Sequence, residues 1–234
     1  MNQIDTNQID TLKDTQSELP IGKIIYLGYT LAHLAMLLWA AKLFASIPTL
    51  SLALLILVLA GLVYDNFIIF IGDRLQLGTT LEKLNQGRYW CHGLLSPLLL
   101  IVAVQMLHFA QVSWDRTPWS DGLAWSLTCI LMGVEVVTRM VKLNLKPVQF
   151  AGTLRYKEVV PSRELPVILV ILLLGAIGAI VWQRLDWPWL LGGAAVMMLG
   201  SAVPTTTKAG PSIGSGVEVI LAWSLVATLF VLGR

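Results

Sequence analysis

Three carboxyl groups stand inside segments otherwise built of aliphatic residues: Asp65 in VYDNFIIF, Glu135 in GVEVVTR and Glu218 in SGVEVILAW. A histidine and an arginine, His92 and Arg88, open another such segment in RYWCHGLLSP. An ionisable side chain in an apolar span is costly unless it finds a partner, a water-filled cavity or a task. A carboxyl group held in an apolar pocket keeps its proton to higher pH and can serve as a general acid, while a second carboxylate or an imidazole can take up a proton or stabilise a cation. Asp65, His92, Glu135 and Glu218 are therefore the candidate catalytic residues. Tyr64, Asn66, Arg88, Tyr89 and Arg139, their neighbours, are candidate substrate-binding residues.

Each has a plainer reading. Glu135 and Arg139 stand four residues apart in the order that favours a helical ion pair, so that pair can be a neutralised structural bridge. Asp65 and Glu218 have no local counter-charge. His33 lies deeper and alone, and His108 sits near the far end of its segment, where a structural hydrogen bond is expected. Cys91 and Cys129 fall in apolar runs, where a thiol behaves as a small hydrophobe, and they support neither a disulfide framework nor a zinc site. No metal or other cofactor is expected: the chain has no HExxH, no paired-histidine spacing and no DDxxD. The stretch TTTKAGPSIGSG offers threonine, lysine and the amides of a helix start, chemistry suited to a phosphate or a lipid headgroup. It matches no P-loop pattern, and a capped turn is its plainer reading.

The elements that must position these groups follow from composition. The chain is 56% hydrophobic and 13% charged, with a mean hydropathy of +0.74. Apolar segments near 24–46, 49–72, 89–112, 122–141, 166–184, 188–207 and 214–232 predict an all-α transmembrane bundle. That makes about seven spans, each near the ~20 residues that a bilayer core requires. The breaks carry turn chemistry at Ile47-Pro48, Asp115 to Pro118, Asp186 to Pro188 and Gly210 to Gly216. The fifth and sixth segments are separated by so short a gap that a tight hairpin or a re-entrant pair is also consistent. Residues 1–19, which repeat NQIDT, have neither the apolar core nor the basic face of a targeting segment and are expected to be a disordered polar tail. Residues 20–234 are expected to form a single transmembrane domain.

Basic residues orient the bundle. Lys23, Arg74, Lys83, Arg88, Lys142, Lys146, Arg155, Lys157, Arg163 and Lys208 fall on the side of the amino terminus, and Lys42, Arg116, Arg184 and Arg234 on the other. That bias places the amino terminus in the cytoplasm, and an odd span number places the carboxyl terminus outside. Trp114, Trp119, Trp182, Trp187 and Trp189 then gather on the outer side as an aromatic belt. The basic connections 73–88 and 142–165 can touch anionic lipid headgroups, although the orientation bias alone accounts for their charge. A net charge of +2 gives no footprint for a nucleic-acid partner.

Depth brings the polar groups together. At the helical rise, Asp65 and Glu135 lie roughly 10 Å from the cytoplasmic ends of their helices, and His92 and Glu218 roughly 6 Å from theirs. Small residues beside the acids, such as Gly61 near Asp65 and Gly214 near Glu218, let helices approach closely. In size, span number and the acids at Asp65 of the second span and Glu218 of the last, the chain resembles the integral-membrane terpene cyclases of meroterpenoid pathways. That resemblance implies an enzyme in which membrane-embedded Asp and Glu residues start and guide cyclisation of a hydrophobic substrate. Two other readings stand beside it. One is a proton- or ion-coupled transporter using Asp65, Glu135 and Glu218, against which the halves show no repeat and the acids lie near one leaflet. The other is a non-catalytic assembly factor whose acids neutralise Arg88 and Arg139. A retinal protein is excluded, because the last span has no lysine.

Overall fold

A computed structural model describes residues 21–111, 118–160, 165–203 and 210–233. The tail, Trp114, Arg116, Arg163, Lys208 and Arg234 lie outside the described residues. The chain forms helices α1 (Ile21–Ser46), α2 (Leu50–Leu75), α3 (Thr79–Leu95), α4 (Leu98–Phe109) and α5 (Pro118–Thr138). A single 3-10 turn, a two-stranded hairpin of β1 (Leu145–Phe150) and β2 (Thr153–Glu158), and helices α6 (Leu165–Leu185), α7 (Trp189–Ser201) and α8 (Gly210–Leu232) follow.

Local chemistry sets the breaks. Thr49 caps α2 by accepting from the Leu52 amide at 3.4 Å, just after Pro48 closes α1. Pro97 brings no N–H to the helical ladder and divides α3 from α4, which together make a passage of 31 residues, Thr79–Phe109. Thr128 of α5 donates its hydroxyl to the Pro97 carbonyl at 3.3 Å, using an acceptor at the break.

Among the described residues six helices are long and apolar enough to cross a membrane, counting Thr79–Phe109 as one and Trp119–Lys142 as another. Leu38, Ile130 and Leu172 project from the bodies of their helices with more than half of each residue exposed, faces that suit lipid rather than water. The build is that of a multi-pass membrane protein. Leu55, Leu59, Ile101, Met106, Leu174 and Leu225 fill the center between helices.

The segment expected near 188–207 departs from the others. Its helix, α7, has 13 residues, against 21 in α6 and 23 in α8. It packs between those two: Trp187 donates to Thr228 Oγ1 at 3.0 Å at one end, and Gly200 sits against Val217 at the other. Helix α7 thus stops about two turns short of the start of α8.

The connection 142–165 is not simply a loop. Its β1 and β2 pair antiparallel from Leu145 opposite Glu158 to Phe150 opposite Thr153, around the two residues Ala151 and Gly152, both with positive φ. That is the backbone a tight hairpin turn requires. The hairpin docks on two helix glycines. The Gly22 amide donates to the Ala151 carbonyl at 2.9 Å, and Gly72 lies so close to the Leu154 carbonyl that a Cβ there would come within 1.9 Å of its oxygen. Lys23, Arg74, Lys83, Arg88, Lys142, Lys146, Arg155 and Lys157 lie at this hairpin end; Lys42, Arg184, Trp119, Trp182, Trp187 and Trp189 lie at the opposite end.

Candidate functional site

The ends of the helices and the hairpin enclose a cavity of about 250 Å³ at the hairpin end of the bundle. Asp65 reaches it from α2, Arg88, Tyr89 and His92 from α3, Arg139 from the end of α5, Arg155 from β2, and Glu218 from α8. Gly200, Ser201 and Val203, where α7 stops, also line it, as do Gly210, Gly214 and Ser215 in the first turns of α8. The short α7 therefore bounds the cavity at a level where its neighbours continue.

Each charged group is held by a second element. Arg88 Nε donates to Asp65 Oδ1 at 2.9 Å, and its Nη1 donates to Asn85 Oδ1 at 2.7 Å. Asn85 is fully buried; the same Oδ1 accepts from the Tyr156 amide at 3.2 Å, and its Nδ2 donates to the Leu81 carbonyl at 2.8 Å. One amide side chain of α3 thus bridges Arg88 and the hairpin. Arg139 Nε donates to Glu158 Oε1 at 2.6 Å, and the Glu158 amide donates to the Tyr89 hydroxyl at 3.2 Å. The Arg139 guanidinium stacks over the Tyr89 ring, 5.1 Å from its centroid. Arg155, 4% exposed, donates from Nη1 to the Tyr26 hydroxyl at 2.8 Å and lies over the Tyr26 and Phe150 rings. On the same strand, burial, reinforced by the Arg155 and Arg88 charges, lowers Lys157 to about 8.

His92 Nδ1 and Glu218 Oε1 face each other at 4.0 Å, close enough for electrostatic coupling and too far for a direct hydrogen bond. Beneath them an apolar slot of about 40 Å³ continues into the bundle, walled by Leu59, Leu99, Ile171, Leu174, Leu221 and Leu225. From Glu218 to Leu225 it runs about 10 Å along α8. His92 and Glu218 border both spaces.

The structure thus brings Asp65, Arg88, Tyr89, His92, Arg139 and Glu218 to one cavity. It places Glu135 apart: its carboxylate is 2% exposed, lies 3.9 Å from Arg139 Nη1 and does not line the cavity. Tyr64 donates to the Leu84 carbonyl at 2.9 Å and covers Gly87, so it serves the α2–α3 contact. Asn66 is fully buried with Nδ2 on the Leu62 carbonyl. His33 is equally buried, its Nδ1 against the Tyr29 carbonyl at 2.9 Å. His108 meets Ser120 and Asp121 at the opposite end. Of the TTTKAGPSIGSG stretch, residues 205–209 lie outside the described residues, and Gly210, Gly214 and Ser215 line the cavity. Among the described residues no cluster of His, Cys, Asp or Glu has metal-binding geometry.

Arg155, Asn85 and Glu158 are the cavity residues and supports that the transmembrane pattern does not signal. A signal existed: VQF and TLRY flank Ala-Gly as two short β-favouring runs around a two-residue turn. No protein-family model matches this chain, and a search of curated proteins finds no match.

Proposed function

We propose that the protein is an integral membrane enzyme that performs acid/base chemistry on an amphipathic lipid or isoprenoid, with the amino terminus and the hairpin end on the cytoplasmic side. The observation that carries this reading is the position of His92 and Glu218, on the border between a charged cavity and an apolar slot. A molecule with a polar head and a hydrocarbon chain would place its head among the arginines, its chain toward Leu225, and the bond between them beside these two side chains. A proton can then pass between the substrate and the imidazole or carboxyl group.

Asp65 has a different role. Its 2.9 Å contact with Arg88 suits it to hold the site's geometry and to stabilise positive charge. Acid duty falls to Glu218 with His92, and that division fits the likeness to membrane terpene cyclases, in which embedded acids start and guide a cationic reaction. The site's place at one end of the bundle favours chemistry on a lipid over alternating access, for which a site at mid-depth is usual.

The test is to express the parent, Glu218→Gln and His92→Asn in a deletion strain and to compare their extracted lipids and, after purification, their thermal unfolding. Both variants should unfold near the parent temperature and slow formation of the affected lipid by about 100-fold or more. Identical lipid profiles in parent, variants and deletion strain would refute the enzyme reading.

A further inference from the structure

The carboxylates that face the cavity or brace it each meet a basic side chain: Asp65 meets Arg88 at 2.9 Å, Glu158 meets Arg139 at 2.6 Å, and Glu218 meets His92 at 4.0 Å. Arg155 is the exception. Among the described residues no carboxylate lies within 4.0 Å of its guanidinium, although the residue is 4% exposed. Its Nη1 is used by Tyr26, whereas Nε and Nη2 are buried without a hydrogen-bond partner among the described residues. A buried guanidinium with a single acceptor and no counter-ion is costly even over two aromatic rings, so its presence calls for a ligand.

The identity of the two unused atoms names the ligand chemistry. Nε–H and Nη2–H lie along the same edge of the guanidinium and form the side-on fork that grips two oxygens of one anion. Other donors converge on the cavity: the first turns of the 23-residue α8 line it through Gly210, Gly214 and Ser215, with the positive end of the helix dipole toward it. A fork, a helix start and the edges of Arg88 and Arg139 exceed what one carboxylate can use, and they suit the several oxygens of a phosphate.

We infer that this cavity is a receptor for a phosphate or diphosphate group, gripped by Arg155 with the start of α8 and carried on the amphipathic ligand proposed above. This assignment rests on the reading of the cavity and slot as one amphipathic site. Seating the anion turns the guanidinium toward the cavity that it already lines. Arg155 is then a binding residue, and its hairpin is the element that delivers it.

The experiment measures binding of farnesyl phosphate, farnesol and inorganic phosphate to the purified full chain in detergent, by ligand-induced shift in Tm and by titration, for the parent, Arg155→Met and Arg155→Lys. The parent should bind farnesyl phosphate about tenfold or more tightly than farnesol. Arg155→Met should erase that preference while unfolding at or above the parent Tm, since it removes an uncompensated buried charge. Arg155→Lys keeps the charge, loses the fork and should keep the fold with a reduced preference; it decides the matter if Arg155→Met does not fold. Equal binding of phosphate and alcohol by the parent, or a preference that survives both substitutions, would overturn the anion site and leave the amphipathic site standing. Inorganic phosphate bound as tightly as farnesyl phosphate would keep the anion site and remove the lipid, and binding of none of the three would remove both.

Discussion

Gly72→Ala tests whether the hairpin is held by close backbone approach and whether the cavity depends on it. The added methyl would lie 1.9 Å from the Leu154 carbonyl oxygen, a backbone atom that cannot rotate away, while real Cβ atoms essentially never come under 3.0 Å. Strand β2 must therefore retreat by at least about 1 Å, an overpacking strain of about 1–3 kcal/mol. Leu154 precedes Arg155, so the displacement moves the guanidinium relative to Tyr26 and the cavity, and it loosens the Asn85 contact to the Tyr156 amide. The control is Gly133→Ala, where nothing lies within 4 Å of the new methyl. Purified Gly72→Ala should show a lower Tm, faster proteolysis between Lys146 and Lys157, and weaker binding of farnesyl phosphate, whereas Gly133→Ala should have a Tm at or above that of the parent and match it in the other two. If Gly72→Ala retained parent Tm and proteolytic resistance, the argument that glycine contacts seat the hairpin would be wrong.

Lys157 should titrate near pH 8, well below the ordinary lysine value of 10.5. Its protonated form is disfavoured in the folded state by burial and by Arg155 and Arg88, so between those values the unfolded chain binds more protons and stability should rise with pH; reductive 13C-methylation with NMR gives the midpoint, and Lys157→Met should flatten that part of the stability profile. Sidedness is tested in a Cys91→Ser/Cys129→Ser background with single cysteines at the exposed Lys146 and Lys42. A membrane-impermeant thiol reagent applied from outside should modify the Lys42 position and spare the Lys146 position, and the reverse pattern would overturn the cytoplasmic assignment.

Much of the site's depth was legible in the sequence. Hydropathy marks where a helix meets the end of the bundle, and a fixed rise per residue converts position into depth, so Asp65, His92, Glu135 and Glu218 could be placed in one layer before any contact was known. The gathering of Trp119, Trp182, Trp187 and Trp189 at one end follows from the same local property. Direction around each helix is another matter. One step along a helix turns a side chain by about 100°, so Tyr64 and Asn66, adjacent to Asp65, point into helix contacts while Asp65 lines the cavity. Only packing sets that azimuth, and it turned Glu135 behind Arg139 as well.

The hairpin and α7 mark the other limit. Hydropathy recorded the basic residues of 142–165 as orientation charges, but Arg155 becomes a cavity residue through a contact with Tyr26 that is 129 positions away in the chain. Such a pairing has no local signature, because it depends on two helix glycines, Gly22 and Gly72, lying side by side to receive the strand. The apolar run after Pro188 likewise announces a membrane-compatible segment without saying where its helix ends. The amino-acid sequence by itself determined the solvent, the long apolar helices and the layer of the polar groups, since these are sums of local transfer energies. The tertiary structure alone decided which groups share a cavity, and it did so through backbone approach at glycines and the pairing of buried charges.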